Sequence, residues 1–144
     1  MHKIIFLVLL SAFVLGCAGP AAMISDSNVS LTETRKAIVK LYGEPRELSQ
    51  NGREVLTGFM DKRGRVIDSA KKARERRFAH IKILGERRPY DVHVDVIVQA
   101  QLDDGSYDTV GDDERLANII AADLKRELLK SLENRNIIDD FNAF

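Results

Sequence analysis

Between Val92 and Leu102 every second residue is aliphatic or Ala. Val92, Val94, Val96, Val98, Ala100 and Leu102 alternate with His93, Asp95, Ile97, Gln99 and Gln101. A strand turns successive side chains to opposite faces, whereas a helix brings residues back to one face every 3.6 positions. A period of two sustained over this stretch therefore requires a strand with one dry face and one that water reaches. A dry face must be covered by another layer, so the rest of the chain has to supply both neighbouring strands and a lid.

The neighbours are legible on either side. In Phe78–Leu84, Ala79, Ile81 and Ile83 alternate with His80 and Lys82, and Gly85-Glu86-Arg87-Arg88-Pro89 links this run to the next as an antiparallel hairpin. Glu54–Met60 reads as a further strand, bounded by Asn51-Gly52 and by Asp61-Lys62-Arg63-Gly64. Two helices supply the lid. Ser30-Leu31-Thr32-Glu33 is a capping box, with Leu31, Ala37, Ile38, Leu41 and Tyr42 along one face, a stop at Gly43 and a block at Pro45. A last helix starts near Gly111-Asp112, with Leu116, Ile119, Ile120, Leu124, Leu128 and Leu132 as its stripe. Arg65–Arg77 shows no clear period, and a short helix or mobile loop is expected around Ser69–Glu75. The expected fold is α+β: a mainly antiparallel sheet of about three strands, packed on one face by N- and C-terminal helices.

The first residues carry an address instead of a fold. Met1-His2-Lys3 is a positive head, and Ile4–Leu15 is apolar except for Ser11. Twelve helical residues cover roughly 18 Å, too short for the ~20 residues that span a bilayer, and the pattern is that of a signal peptide. Val14-Leu15-Gly16-Cys17 resembles the lipobox of bacterial lipoproteins. The resemblance implies cleavage before Cys17, the only cysteine, and acyl chains on that residue. It also implies an outer-membrane anchor facing the periplasm, because Ala18 is not the aspartate associated with inner-membrane retention. The expected organisation is a signal peptide over 1–16, lipidated Cys17 with a flexible tether over 17–29, and one periplasmic domain over 30–144. Ser30–Met60, a capped helix ending in Leu41-Tyr42-Gly43-Glu44-Pro45 ahead of a hairpin, resembles the start of small lipoproteins of the outer-membrane barrel-assembly machinery. That likeness implies an assembly role.

Motifs for chemistry are missing from the sequence. There is no His-x-x-x-His, no paired cysteine and no Gly-rich strand-to-helix turn, so neither an enzyme, a cofactor nor a bound metal is expected. His80 and His93 fall on the wet face, where antiparallel pairing could bring His80 near Asp95 or His93. Cross-strand polar pairing accounts for them. Asp103-Asp104, Asp112-Asp113 and Asp139-Asp140 read as turn and helix-end residues.

Charge is unevenly distributed. Residues 62–88 hold eleven basic and three acidic side chains, whereas 89–144 hold five basic and thirteen acidic. The two could attract each other within the fold, or the basic segment could meet an anionic lipid or an acidic partner. Arg74, Arg76, Arg77, Arg87, Arg88 and Tyr90 are the candidate binding residues, the last three at the hairpin tip. Nucleic acid is not an expected partner, given the address and the few interleaved aromatics. The expected function is that of a lipid-anchored, non-enzymatic envelope protein acting on another envelope protein as a binding, assembly or scaffolding factor. The alternative is a module that binds anionic lipid or lipopolysaccharide through 62–88.

Overall fold

A computed structural model describes residues 22–141. The signal peptide, Cys17 and the first part of the expected tether lie outside the described residues. The element order is β1 Ala22–Ser27, α1 Leu31–Tyr42, β2 Glu47–Leu48, β3 Glu54–Leu56, β4 Glu75–Leu84, β5 Tyr90–Gln101, β6 Tyr107–Asp112 and α2 Glu114–Phe141. This is an α+β fold with a fully antiparallel sheet, but the sheet has six strands where about three were expected.

The β4–β5 hairpin forms its spine, in register from Glu75 opposite Ala100 to Leu84 opposite Asp91. Strand β3 pairs with the outer side of β4, and β2 pairs with β3. The far edge of β5 is shared. Strand β1 pairs with its first half, Ala22 opposite Val94, and β6 with its second half, Asp112 opposite Ile97.

Three strands escaped the sequence reading because none carries a clean alternation. Strand β2 has two residues, and five of the six in β6 are exposed. Residues 22–27, assigned to the tether, form β1, which buries Ala22 and Ile24 before a bulge that places Asp26 at φ +56°. Small residues and a bulge hide a strand that is held by an edge and by one buried face. The run at Glu54–Met60 stays regular only to Leu56. Beyond it, Ala79 N–H donates to the Thr57 hydroxyl at 2.9 Å, and Met60 rejoins β4 opposite Arg77. Residues 69–75 form a 3-10 turn at Ala70–Lys72, after which β4 begins three residues earlier than expected.

Helix α1 follows the sequence closely. The Ser30 hydroxyl accepts from Glu33 N–H at 3.2 Å, and Gly43, at φ +76°, closes the helix by donating to Val39 O at 2.8 Å. Ala37, Ile38 and Tyr42 are buried, with Leu31 and Leu41 against the same core. In α2, Leu116, Ile120, Leu124 and Leu128 are buried, whereas Ile119 of the expected stripe is exposed. Both helices lie on the sheet face made by Val55, Ala79, Ile81, Ile83, Val92, Val94 and Val96. Asp113 N–H donates to Val96 O at 2.8 Å, so α2 starts over the middle of β5. The strand's last residues run out from beneath it, which is why Val98 is still buried, Ala100 half-buried and Leu102 exposed.

Candidate binding face

Among the described residues the opposite face of the sheet carries no helix. From β4 it presents Arg76, Phe78, His80 and Lys82, paired in register with Gln99, Ile97, Asp95 and His93 of β5. Leu56 and Glu54 of β3 continue the face beside His80 and Lys82. Polar contacts tie these side chains together. Arg76 Nε donates to Gln99 Oε1 at 3.0 Å, Lys82 meets Asp95 at 3.1 Å, and His80 Nε2 lies 3.0 Å from Glu54 Oε2. His80 therefore serves in cross-strand polar pairing, with Glu54 of β3 instead of Asp95 or His93. Among the described residues no group of three or more His, Cys, Asp and Glu is placed to hold a metal ion.

One end of this face is built from arginines laid on aromatic rings. The Arg46 guanidinium lies 4.3 Å from the Phe59 centroid and 4.6 Å from that of Phe78. Arg76 lies 3.8 Å from the Phe59 centroid and 3.5 Å from that of Tyr107. Phe59 and Phe78 meet edge to face at 6.0 Å. The Tyr107 hydroxyl is fixed from below, 2.8 Å from Ala70 O and 2.6 Å from Ala73 O, so the 3-10 turn sets the height of its ring. Burial pulls the Arg76 pKa below the usual guanidinium value; the Tyr107 oxygen opposes that shift and the nearby Arg46 charge adds to it. Beside this stack runs a groove of about 340 Å³, with Leu56, Phe78 and Ile97 as its floor and Glu47, Glu54 and His80 on its walls.

The residues singled out in the sequence do not form one site. Arg74, Arg76 and Arg77 stand at the start of β4, and Arg87 and Arg88 stand beyond its end. A strand rises about 3.3 Å per residue, so the two groups are roughly 25 Å apart. Arg76 faces outward, but Arg77 faces the helices and is spent on Asp113 at 2.9 Å and Glu75 at 2.7 Å. Arg87 and Arg88 are exposed at the tip, where Arg88 donates to Asn28 O at 3.4 Å. Tyr90 is only partly buried. Its ring packs on the core, with Arg53 5.5 Å from its centroid.

Internal pairing between the basic segment and the acidic C-terminal third is limited to Arg77–Asp113 and Lys82–Asp95 among the described residues. Lys62, Arg63, Lys71, Lys72, Arg74, Arg87 and Arg88 make no ion pair there. Asp104 and Asp113 serve structure, and the side chains of Asp139-Asp140 lie outside those described. Asp104 Oδ1 accepts from Ser106 N–H at 2.9 Å in a turn, and Asp113 Oδ1 accepts from Leu116 N–H at 2.9 Å at the start of α2.

Arg46, Phe59 and Tyr107 belong to the face and were not picked out from the sequence. Arg46 follows the helix-breaking Pro45, Phe59 sits where β3 loses its regularity, and Tyr107 opens a strand with no period. Only the pairing of β3 with β4 and of β6 with β5 brings them together. Comparisons with family models, with curated proteins and with solved structures found no match. Among the described residues no helix is long and apolar enough to cross a membrane.

Proposed function

We propose that the chain is a lipid-anchored protein of the bacterial outer membrane, facing the periplasm, which binds another envelope protein without catalysing a reaction. The anchor rests on the leader and the lipobox ending at Cys17. The binding role rests on one observation, the uncovered sheet face with Leu56, Phe59 and Ile97 half-exposed beside two stacked arginines. Apolar and aromatic side chains with arginine at the rim are the composition that protein interfaces favour. The likeness of Ser30–Met60 to barrel-assembly lipoproteins favours assembly or scaffolding over transport.

Two experiments test the two halves. The intact mass of the native product exceeds the chain mass from Cys17 onward by its acyl chains, and Cys17→Ser removes that excess and releases the protein from membranes. A native mass without acyl chains ends the anchor reading. For binding, crosslinked envelopes yield a specific partner with the wild type but not with Ile97→Lys, while Arg87→Glu with Arg88→Glu captures normally. Equal capture by all three removes the face from the argument.

The unpaired cations of 62–88 favour a second reading, contact with anionic lipid. Salt-sensitive retention on anionic but not neutral vesicles, lost when Lys71, Lys72 and Arg74 become Gln, separates it from the first.

A further inference from the structure

We propose that Arg46 and Arg76 together hold a phosphate group of the ligand that docks on the outer sheet face, an inference that rests on that face being the binding surface. Both guanidinium carbons lie within 4.3 Å of the single Phe59 centroid, so they are no more than about 8 Å apart. Contact with a ring uses up no N–H group, so these cation–π contacts leave the guanidinium donors for a ligand. Among the described residues the Arg46 guanidinium makes no hydrogen bond and no ion pair, and Arg76 uses only Nε, toward Gln99. Two cations are thus gathered on one ring with no carboxylate bound to either.

An arrangement of this kind costs electrostatic free energy until an anion arrives. The lowered Arg76 pKa, caused first by burial and then by Arg46 against the help of Tyr107, is a sign of that cost. A phosphate dianion matches the site in charge and in shape. It carries enough oxygens to accept from two planar forks at once, whereas one carboxylate is satisfied by a single fork. The adjoining groove gives the ligand a direction. Glu47 and Glu54 on its walls repel an anion, so the phosphate is confined to the arginine end, and the Leu56–Phe78–Ile97 floor receives the uncharged remainder.

The test uses the full chain in neutral detergent, titrated calorimetrically with inorganic phosphate and with soluble dihexanoyl phosphatidic acid. Saturable binding of either supports the site. Tighter binding of the phosphatidic acid assigns a lipid headgroup, and equal binding assigns a free phosphate-bearing ligand. Arg46→Gln and Arg76→Gln should each weaken binding at least tenfold. Arg46→Lys, which keeps the charge but loses the fork and the stack, should also weaken it. Arg46 is exposed, so its variants keep the fold, and near-ultraviolet circular dichroism verifies this for Arg76→Gln. The paired Arg87→Gln and Arg88→Gln substitutions should leave binding unchanged. No saturable binding, or equal loss in the tip variant, overturns the inference. Envelope-protein capture that fails with Ile97→Lys but survives Arg46→Gln, without phosphate binding, overturns the phosphate site and leaves the binding face standing. Capture insensitive to both overturns the face itself.

Discussion

Arg77 Nε donates to Asp113 Oδ2 at 2.9 Å, and this contact fastens the start of α2 to the middle of the sheet. Both side chains are nearly covered, at 13% and 15% exposure. Asp113 does a second job by accepting from Leu116 N–H, so one carboxylate caps the helix and compensates the charge beneath it. Removing it with Asp113→Ala leaves Arg77 facing the core with only the more exposed Glu75 as partner. The expected loss is about 2–4 kcal/mol, read as a lowered urea midpoint at unchanged slope.

The same carboxylate makes stability depend on acid. Burial on its own would raise the Asp113 pKa, but the Leu116 N–H and the Arg77 guanidinium outweigh it and hold the group below its usual value. A pKa lowered on folding contributes stability above the unfolded value, about 3.9, and loses it as pH falls through the folded value. Urea unfolding of the wild type from pH 6 downward should show stability falling below about pH 4, with a smaller drop in Asp113→Asn. Equal acid sensitivity in both would assign the effect to other carboxylates. Asp61 contributes in the same direction, since N–H donation from Arg65 leads a set of contacts that lower it to about 2.

Leu124 is fully buried between the sheet and α1. Leu124→Ala should cost about 3 kcal/mol through lost burial and an unfilled cavity. Leu129, half-exposed on the same helix, should tolerate the change within about 0.5 kcal/mol. Thermal unfolding of the pair compares the two faces of α2 directly.

Gly64 has φ +80°, and a Cβ there would stand 2.9 Å from Leu116 Cδ1. Arg115 Nη2 donates to the neighbouring Lys62 O at 3.1 Å, so the turn and the start of α2 are packed together. Gly64→Ala should destabilise by about 1–2 kcal/mol, whereas Gly105→Ala, left-handed but open to solvent, should cost less. Chemical denaturation of both variants measures the packing share of the penalty.

Stability should respond little to the arginine stack. Arg46→Gln removes cation–π contacts at an exposed site, worth about 0.5–1 kcal/mol. A double-mutant cycle with Phe59→Leu should return a coupling of that size.

Legibility in the sequence tracked burial. Val92–Val98 and Ala79–Ile83 alternate because one face must be dry, and the Ser30 cap and Gly43 stop mark α1 because helix ends have specific chemistry. Strands β2 and β6 are held mainly by backbone pairing, which most residues can supply, and β1 adds only Ala22 and Ile24 to the hydrophobic core, so their sequences carry little pattern. The candidate face suffered from the same limit. Arg76 was visible as part of a basic run, but that Arg77 turns inward follows only from its strand parity once β4 is known to begin at Glu75. Arg46 and Tyr107 are distant in sequence and become neighbours through Phe59 and Arg76.

Strand β1 also sets how far the domain can stray. Ala22 is already fixed opposite Val94, so under the proposed anchor five links separate the lipidated Cys17 from the first described strand. Those links reach about 18 Å at full stretch, less than half the leash that a tether ending at residue 29 would allow. Under the proposed anchor the domain would stay within about one protein diameter of the lipid surface, and lengthening the lead by insertion before Ala22 would widen that reach without touching the described fold.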